Sequence, residues 1–139
     1  MGKVYITEIQ KRFSDVDLFG HVNNVYIQDY FDLGKTDFYT NVLGDTMNWH
    51  KDALVIVSVH SDYMEQTRYK DEVYVETAIA KIGNKSFTFL QKLIDREKGR
   101  VNAICRTVVV GFDFEKQVSM PLLPYWVEQI REYLVDEME

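Results

Sequence analysis

The chain has 139 residues, enough for one domain of ordinary size whose core needs no disulfide or metal staple. Hydrophobic residues make up 46% and charged residues 27%, which excludes a disordered tail or a fibre, and no apolar run is long enough for a membrane span. The net charge of -6 argues against general nucleic-acid binding, and the single cysteine, Cys105, excludes an intrachain disulfide and fits a reducing, cytoplasmic compartment.

Val4–Arg12 reads as a first strand, with Val4, Ile6 and Glu8 on one face and Tyr5, Thr7 and Ile9 on the other. The first fifteen residues carry Lys3, Glu8, Lys11 and Arg12 and no apolar stretch of the signal-peptide kind. From Asn23 to Leu43 the period becomes helical. Ile27, Phe31, Gly34 and Phe38 recur at steps of four, three and four, while Gln28, Asp32 and Lys35 share the opposite side. Gly34 inside a helix costs about 0.8–1 kcal/mol relative to Ala, a cost that close approach to a sheet would offset. Asn23 or Asn24 is expected to cap this helix and Gly44 to end it.

The remainder reads as strands: Leu54–Gln66, Glu72–Ile82, Ser86–Arg96 and Val101–Phe114. Gly83-Asn84-Lys85 and Glu97-Lys98-Gly99-Arg100 are short connections, so the strands they join must be antiparallel. A closing helix follows Pro121 and Pro124, with Trp126, Val127, Ile130, Tyr133 and Leu134 on one side. The order strand, long helix, four strands, helix predicts a single α+β domain over residues 1–139, its antiparallel sheet wrapped around one central helix. Such a sheet has open edges, and pairing two copies edge to edge predicts a homodimer.

The segment Phe13-Ser14-Asp15-Val16-Asp17-Leu18-Phe19-Gly20-His21-Val22-Asn23-Asn24 gathers two carboxylates, one imidazole and two amides just before the helix N-terminus. That terminus offers unpaired N–H groups and the positive end of the helix dipole, and an acid or base beside such donors suits acyl transfer. The alternative at this stage is structural, with Asp and Asn residues capping the helix and shaping the loop. A calcium loop is excluded because its ligand positions fall on Phe19 and Tyr26. His21, His50 and His60 lack metal-ligand spacing, so no metal is expected, and Cys105 in a Val-rich strand reads as core.

Phe-x-Asp-x-Asp-x-x-Gly-His-Val-Asn-Asn followed by Val-Tyr-x-x-x-Tyr-Phe-Asp resembles the hot-dog-fold acyl-CoA thioesterases of the hydroxybenzoyl-CoA thioesterase type. Plant acyl-ACP thioesterases carry a similar segment, and the element order matches the hot-dog fold over nearly the whole chain. The resemblance implies hydrolysis of an acyl-CoA or acyl-carrier thioester without metal or cofactor, by a homodimer or homotetramer. It casts Asp17 as general base or nucleophile, and the backbone N–H groups near Asn23 and Asn24 as carbonyl polarisers. His21 and Asn24 would orient Asp17 or the attacking water, and Tyr26 would face the acyl group, one position earlier than is usual in the family. Asp15 shapes the loop, and Glu65 is a candidate for the second carboxylate that some branches take from a partner subunit. Lys85-Ser86-Phe87 after the hairpin is a second match to the family.

Residues 81–106 hold seven bases against two acids, a balance of +5, whereas the remainder carries −11. The strip is either a solvated hairpin or, as the resemblance implies, the seat of the CoA phosphates, with Lys85 and Ser86 the best placed. The competing function is a non-catalytic module that binds acyl-CoA in the same fold. A hot-dog hydratase ranks lowest, because Asp17 and His21 are wrongly spaced for its acid–base pair.

Overall fold

The computed structural model describes residues 2–44, 47–48 and 50–136. Among them the chain forms β1 (Tyr5–Glu8), a 3-10 turn at Phe13–Asp15, α1 (Asn24–Phe38), β2 (Asp52–Tyr63), β3 (Val73–Ile82), β4 (Ser86–Asp95), β5 (Arg100–Asp113), β6 (Val118–Ser119) and α2 (Pro124–Arg131). The strands make one antiparallel sheet in the order β1-β3-β4-β5-β2, with β6 added to β5. The sheet curls around α1, the hot-dog arrangement. No helix among the described residues is long and apolar enough to cross a membrane.

The strand limits differ from the sequence reading wherever a neighbour runs out. β1 pairs only with β3, from Tyr5 opposite Thr77 to Glu8 opposite Tyr74, and β3 begins at Val73, so Ile9–Arg12 have no ladder to join. β2 stops at Tyr63 because the N–H groups of Met64 and Glu65 both turn to the Asn102 carbonyl, at 2.9 and 3.0 Å. α1 ends at Phe38, and a wider π turn, Tyr39–Leu43, runs on to Gly44 at φ +59. α2 is likewise shorter than its apolar stripe. Tyr133 and Val135 leave the helix and hydrogen-bond the backbone of Ile79, covering the β3 edge that β1 does not reach.

The core has two parts. Phe38, Leu43, Leu54, Ile79, Phe87, Phe89, Val109, Leu122, Trp126 and Ile130 pack where α1 ends and α2 crosses the sheet. Val22, Ile27, Tyr30, Phe31, Val73, Val75, Leu93, Ala103 and Cys105 pack under the first half of α1. Gly34 joins the two. A Cβ there would meet Gln91 Nε2 and Val75 Cγ1 at 2.8 Å each, so the close approach expected from the sequence is what the glycine permits.

The side of α1 opposite its apolar stripe is unevenly covered: Lys35 is 3% exposed and Gln28 is half-buried, whereas Asp32 is exposed. Gln28 faces β5 and β2, through Cys105 and Ser61, and Lys35 faces β4. Lys35 Nζ donates to Gln91 Oε1 at 3.0 Å and pairs with Asp32 at 3.4 Å. Periodicity groups residues on a face, but the sheet's curl decides which faces are covered.

Candidate active site

Asp15 anchors the loop before α1. Its side chain is fully buried and accepts hydrogen bonds from the Tyr30 hydroxyl at 2.6 Å and from the Arg12 amide and Nε at 3.0 Å each. Burial alone would raise its pKa. The bonds from Tyr30 and Arg12 outweigh that and hold the carboxyl below its ordinary value. The same contact and its burial push the Tyr30 hydroxyl well above its usual range. The Asp15 carbonyl also accepts the Asn23 N–H at 3.0 Å, so one residue ties the 3-10 turn to both the helix and its cap.

Beyond Asp15 the chain makes a small hairpin. Val16 bridges Val22, the Asp17 N–H donates to the His21 carbonyl at 2.8 Å, and Gly20 at φ +79 closes the turn with its N–H on the Asp17 carbonyl. Asp17 Oδ1 accepts from the N–H groups of Phe19 at 2.9 Å and His21 at 3.2 Å. The carboxylate therefore shapes its own loop, and in the single chain it is exposed. Phe13 and Phe19, near it in sequence, are themselves 80% and 83% exposed. His21 bridges Arg68 through the backbone, and the Val22 N–H donates to the Thr67 carbonyl at 2.7 Å. The order across this end of the molecule is thus the Asp17 strand, the His21 strand, then the 66–68 segment.

Behind that second strand lies a cleft of about 320 Å³, lined by Val22, Asn24, Ile27, Tyr63, Met64, Glu65, Gln66 and Thr67. Asp17 flanks this cleft without lining it. Its chemical feature is the start of α1. Asn23 is the cap, its side chain accepting the Val25 N–H at 3.0 Å, and its carbonyl takes the N–H groups of Tyr26 and Ile27. With Val22 and Asn23 also paired, the Asn24 N–H is the one backbone donor of residues 22–27 left without an acceptor among the described residues. It sits at the cleft and at the positive end of the helix dipole, where a developing negative charge on oxygen is stabilised.

The structure does not bring all the anticipated residues together. Tyr26 lies under the Arg12 guanidinium, 5.5 Å from carbon to ring centroid, and not in the cleft. Asn23 is occupied as a cap, so its side chain is not offered to a ligand. Lys85 and Ser86 sit at the far end of the sheet: Ser86 pairs with Val110 of β5 whereas Tyr63 at the cleft pairs with Ala103. Seven residues of strand separate those levels, about 23 Å at about 3.3 Å per residue. The basic strip is dispersed as well. Arg96 pairs with Glu8, Arg100 with Glu65 at 3.7 Å, and Lys92 and Arg106 lie on the opposite face of the sheet.

Glu65, the candidate for a second carboxylate, lines the cleft of its own chain. One feature of the site was not anticipated from the sequence. Fully buried Asn102 holds the 64–67 turn, its carbonyl taking two N–H groups, its Nδ2 donating to Thr67 Oγ1 at 2.9 Å and its Oδ1 accepting from Arg100 Nε at 3.0 Å. The available signal was an Asn inside a predicted strand, where that residue type is depleted.

Residues 12–131 match the family model of the Thioesterase-like superfamily. A structure of a predicted thioesterase from Bacillus stearothermophilus superposes with a TM-score of 0.85 at 28% identity, covering 96% of this chain and 98% of that one. YsmA of Bacillus subtilis is 25% identical over 134 residues, 94% of this chain and 85% of its own length. The long-chain acyl-CoA thioesterase FadM of Escherichia coli is 24% identical over 119 residues, 84% of this chain and 89% of its own.

Proposed function

This chain belongs to the Thioesterase-like superfamily and is a thioester hydrolase, and from that premise we propose that it cleaves acyl-CoA, or the equivalent acyl-carrier thioester, with Asp17 as the catalytic carboxylate. The observation that carries the assignment is the unpaired N–H of Asn24, a residue lining a cleft whose neighbouring strand bears Asp17. The thioester oxygen accepts from Asn24, and Asp17 takes a proton from water as the water oxygen bonds to the carbonyl carbon. The C–S bond then breaks, and the sulfur leaves as thiol after taking up that proton. His21, opposite Asp17 in the hairpin, orients the water. Loss of one such backbone donor is worth about 2.7–4 kcal/mol of barrier in other enzymes.

The single chain leaves Asp17 open to solvent, so this chemistry needs a covering surface, and a second copy of the chain is the one we propose. Beyond the bridge from Asn48 to Asp52, the outer edge of β2 pairs with no other strand among the described residues, and Ile56, Val57, Val59 and Tyr63 on it and Met64 just past it are 42–59% exposed. Antiparallel pairing of two β2 edges about their midpoint brings Tyr63 level with Asp52 of the other copy, and Ser86 lies at the level of Val55, three residues further along β2. The partner subunit's Lys85 and Ser86 are then on the cleft's side, placed for CoA phosphates. A homodimer is the minimal unit of this reading, and the same pairing serves a homotetramer. Buried, reduced Cys105 suits a cytoplasmic setting.

A second assignment of Asp17 is purely structural, favoured by its bonds to Phe19 and His21. Asp17→Asn separates the two, because the amide oxygen retains both turn bonds while the base is lost. Thiol release from acyl-CoA is expected to fall at least ~100-fold with an unchanged melting temperature. Near-wild-type turnover would remove Asp17 from the chemistry.

A further inference from the structure

From the contacts between α1 and β2 we infer that Gln28 and Ser61 set the length of the acyl group, restricting the cleft to chains of about six carbons; this rests on the thioesterase reading above. Ser61 Oγ donates to Gln28 Oε1 at 2.8 Å, and Gln28 Nε2 reaches Cys105 Sγ at 3.7 Å. Gln28 thus spans the slot between helix and sheet one turn beyond Asn24, on the same stripe. Asn24 and Gln28 are four residues apart, about 6 Å along the helix axis. An extended chain advances about 1.25 Å per bond, judged from 3.8 Å over the three bonds between successive Cα atoms. An acyl group whose carbonyl sits on the Asn24 N–H therefore meets this strap after about five bonds.

What lies past the strap is equally unsuited to alkyl chains. Lys35 continues the stripe and is buried with its ammonium on Gln91 Oε1. Gln91 in turn donates to Thr77 Oγ1 at 3.0 Å and the Phe31 carbonyl at 2.9 Å, and buried Thr107 lies 3.5 Å from Cys105 Sγ. Methylene groups driven into this layer would displace hydrogen bonds from buried polar groups without replacing them, which is costly.

The test measures thiol release from butyryl-, hexanoyl-, dodecanoyl- and palmitoyl-CoA by wild type, Gln28→Ala and Ser61→Ala, with circular dichroism as the check on folding. Wild type is expected to lose at least about tenfold in kcat/KM from hexanoyl- to dodecanoyl-CoA, and both variants to recover at least about tenfold in that ratio. Ser61→Ala cuts the strap without opening a large void, so it decides the question if Gln28→Ala fails to fold. Hydrolysis with the same length profile in wild type and a folded variant, or a wild type that prefers dodecanoyl-CoA, overturns the strap and leaves the thioesterase reading standing. No thiol release from any of the four overturns that reading and this inference with it.

Discussion

The two ends of α1 are built from opposite materials. At the C-terminal end the fully buried Phe38 ring makes edge contacts with Tyr5, Phe89 and Tyr133 at centroid separations of 6.0, 5.5 and 5.1 Å, and apolar residues supply the rest of the core. At the N-terminal end the helix is held by a buried carboxylate, a phenol, a guanidinium and an asparagine cap. The hydrophobic force that buries these rings is non-directional, so it suits an end that only needs stability. Hydrogen bonds to a buried charge fix position and direction, which suits an end that must hold a donor and a carboxylate in register.

Breaking the aromatic end should cost most. Phe38→Ala is expected to lose about 3–5 kcal/mol of stability, seen as a fall of about 10 °C in melting temperature. KM for acyl-CoA should be unchanged in the folded fraction, and a shifted KM would show that the two ends are coupled.

Asp15→Asn attacks the polar end and is expected to cost about 1.5–3 kcal/mol, the range for hydrogen bonds involving a charged group. Because folding lowers the Asp15 pKa, its contribution is complete above the unfolded value near 3.9 and is lost as pH falls through the lower folded value. Urea titrations at neutral and acid pH should therefore show a flatter acid limb in the variant. The variant should also lose turnover, since Asp15 ties the Asp17 hairpin to the helix. Asn23→Ala removes a cap worth about 1 kcal/mol. It should lower kcat more than KM by fraying the turn that holds the Asn24 N–H, with Asn23→Ser restoring both; equal loss in the serine variant would show that the cap bond is not what matters.

The periodic elements and the Asp-x-Asp segment were readable because each depends on neighbours within a turn or a hairpin. Gly34 announced close helix–sheet contact, and the Gly83-Asn84-Lys85 connection announced its hairpin. What misled was distance along the sheet. Lys85 and Ser86 look adjacent to the chemistry in a motif list, yet lie about 23 Å of strand from the cleft in their own chain. The exposure of Asp17 in the single chain is likewise invisible locally, because two phenylalanines near it in sequence, Phe13 and Phe19, stay exposed instead of covering it.

Local order alone therefore determined which residues form a helix or a strand, where the turns fall and that acid, imidazole and amides precede a helix N-terminus. Only the tertiary structure decided that Lys35 of α1 turns inward, that Asn24 keeps its donor free and that Gln28 meets Ser61. Those outcomes depend on pairings such as β2 with β5, between residues some fifty positions apart. A repeat of apolar positions carries no information about which distant strand comes to lie beside it.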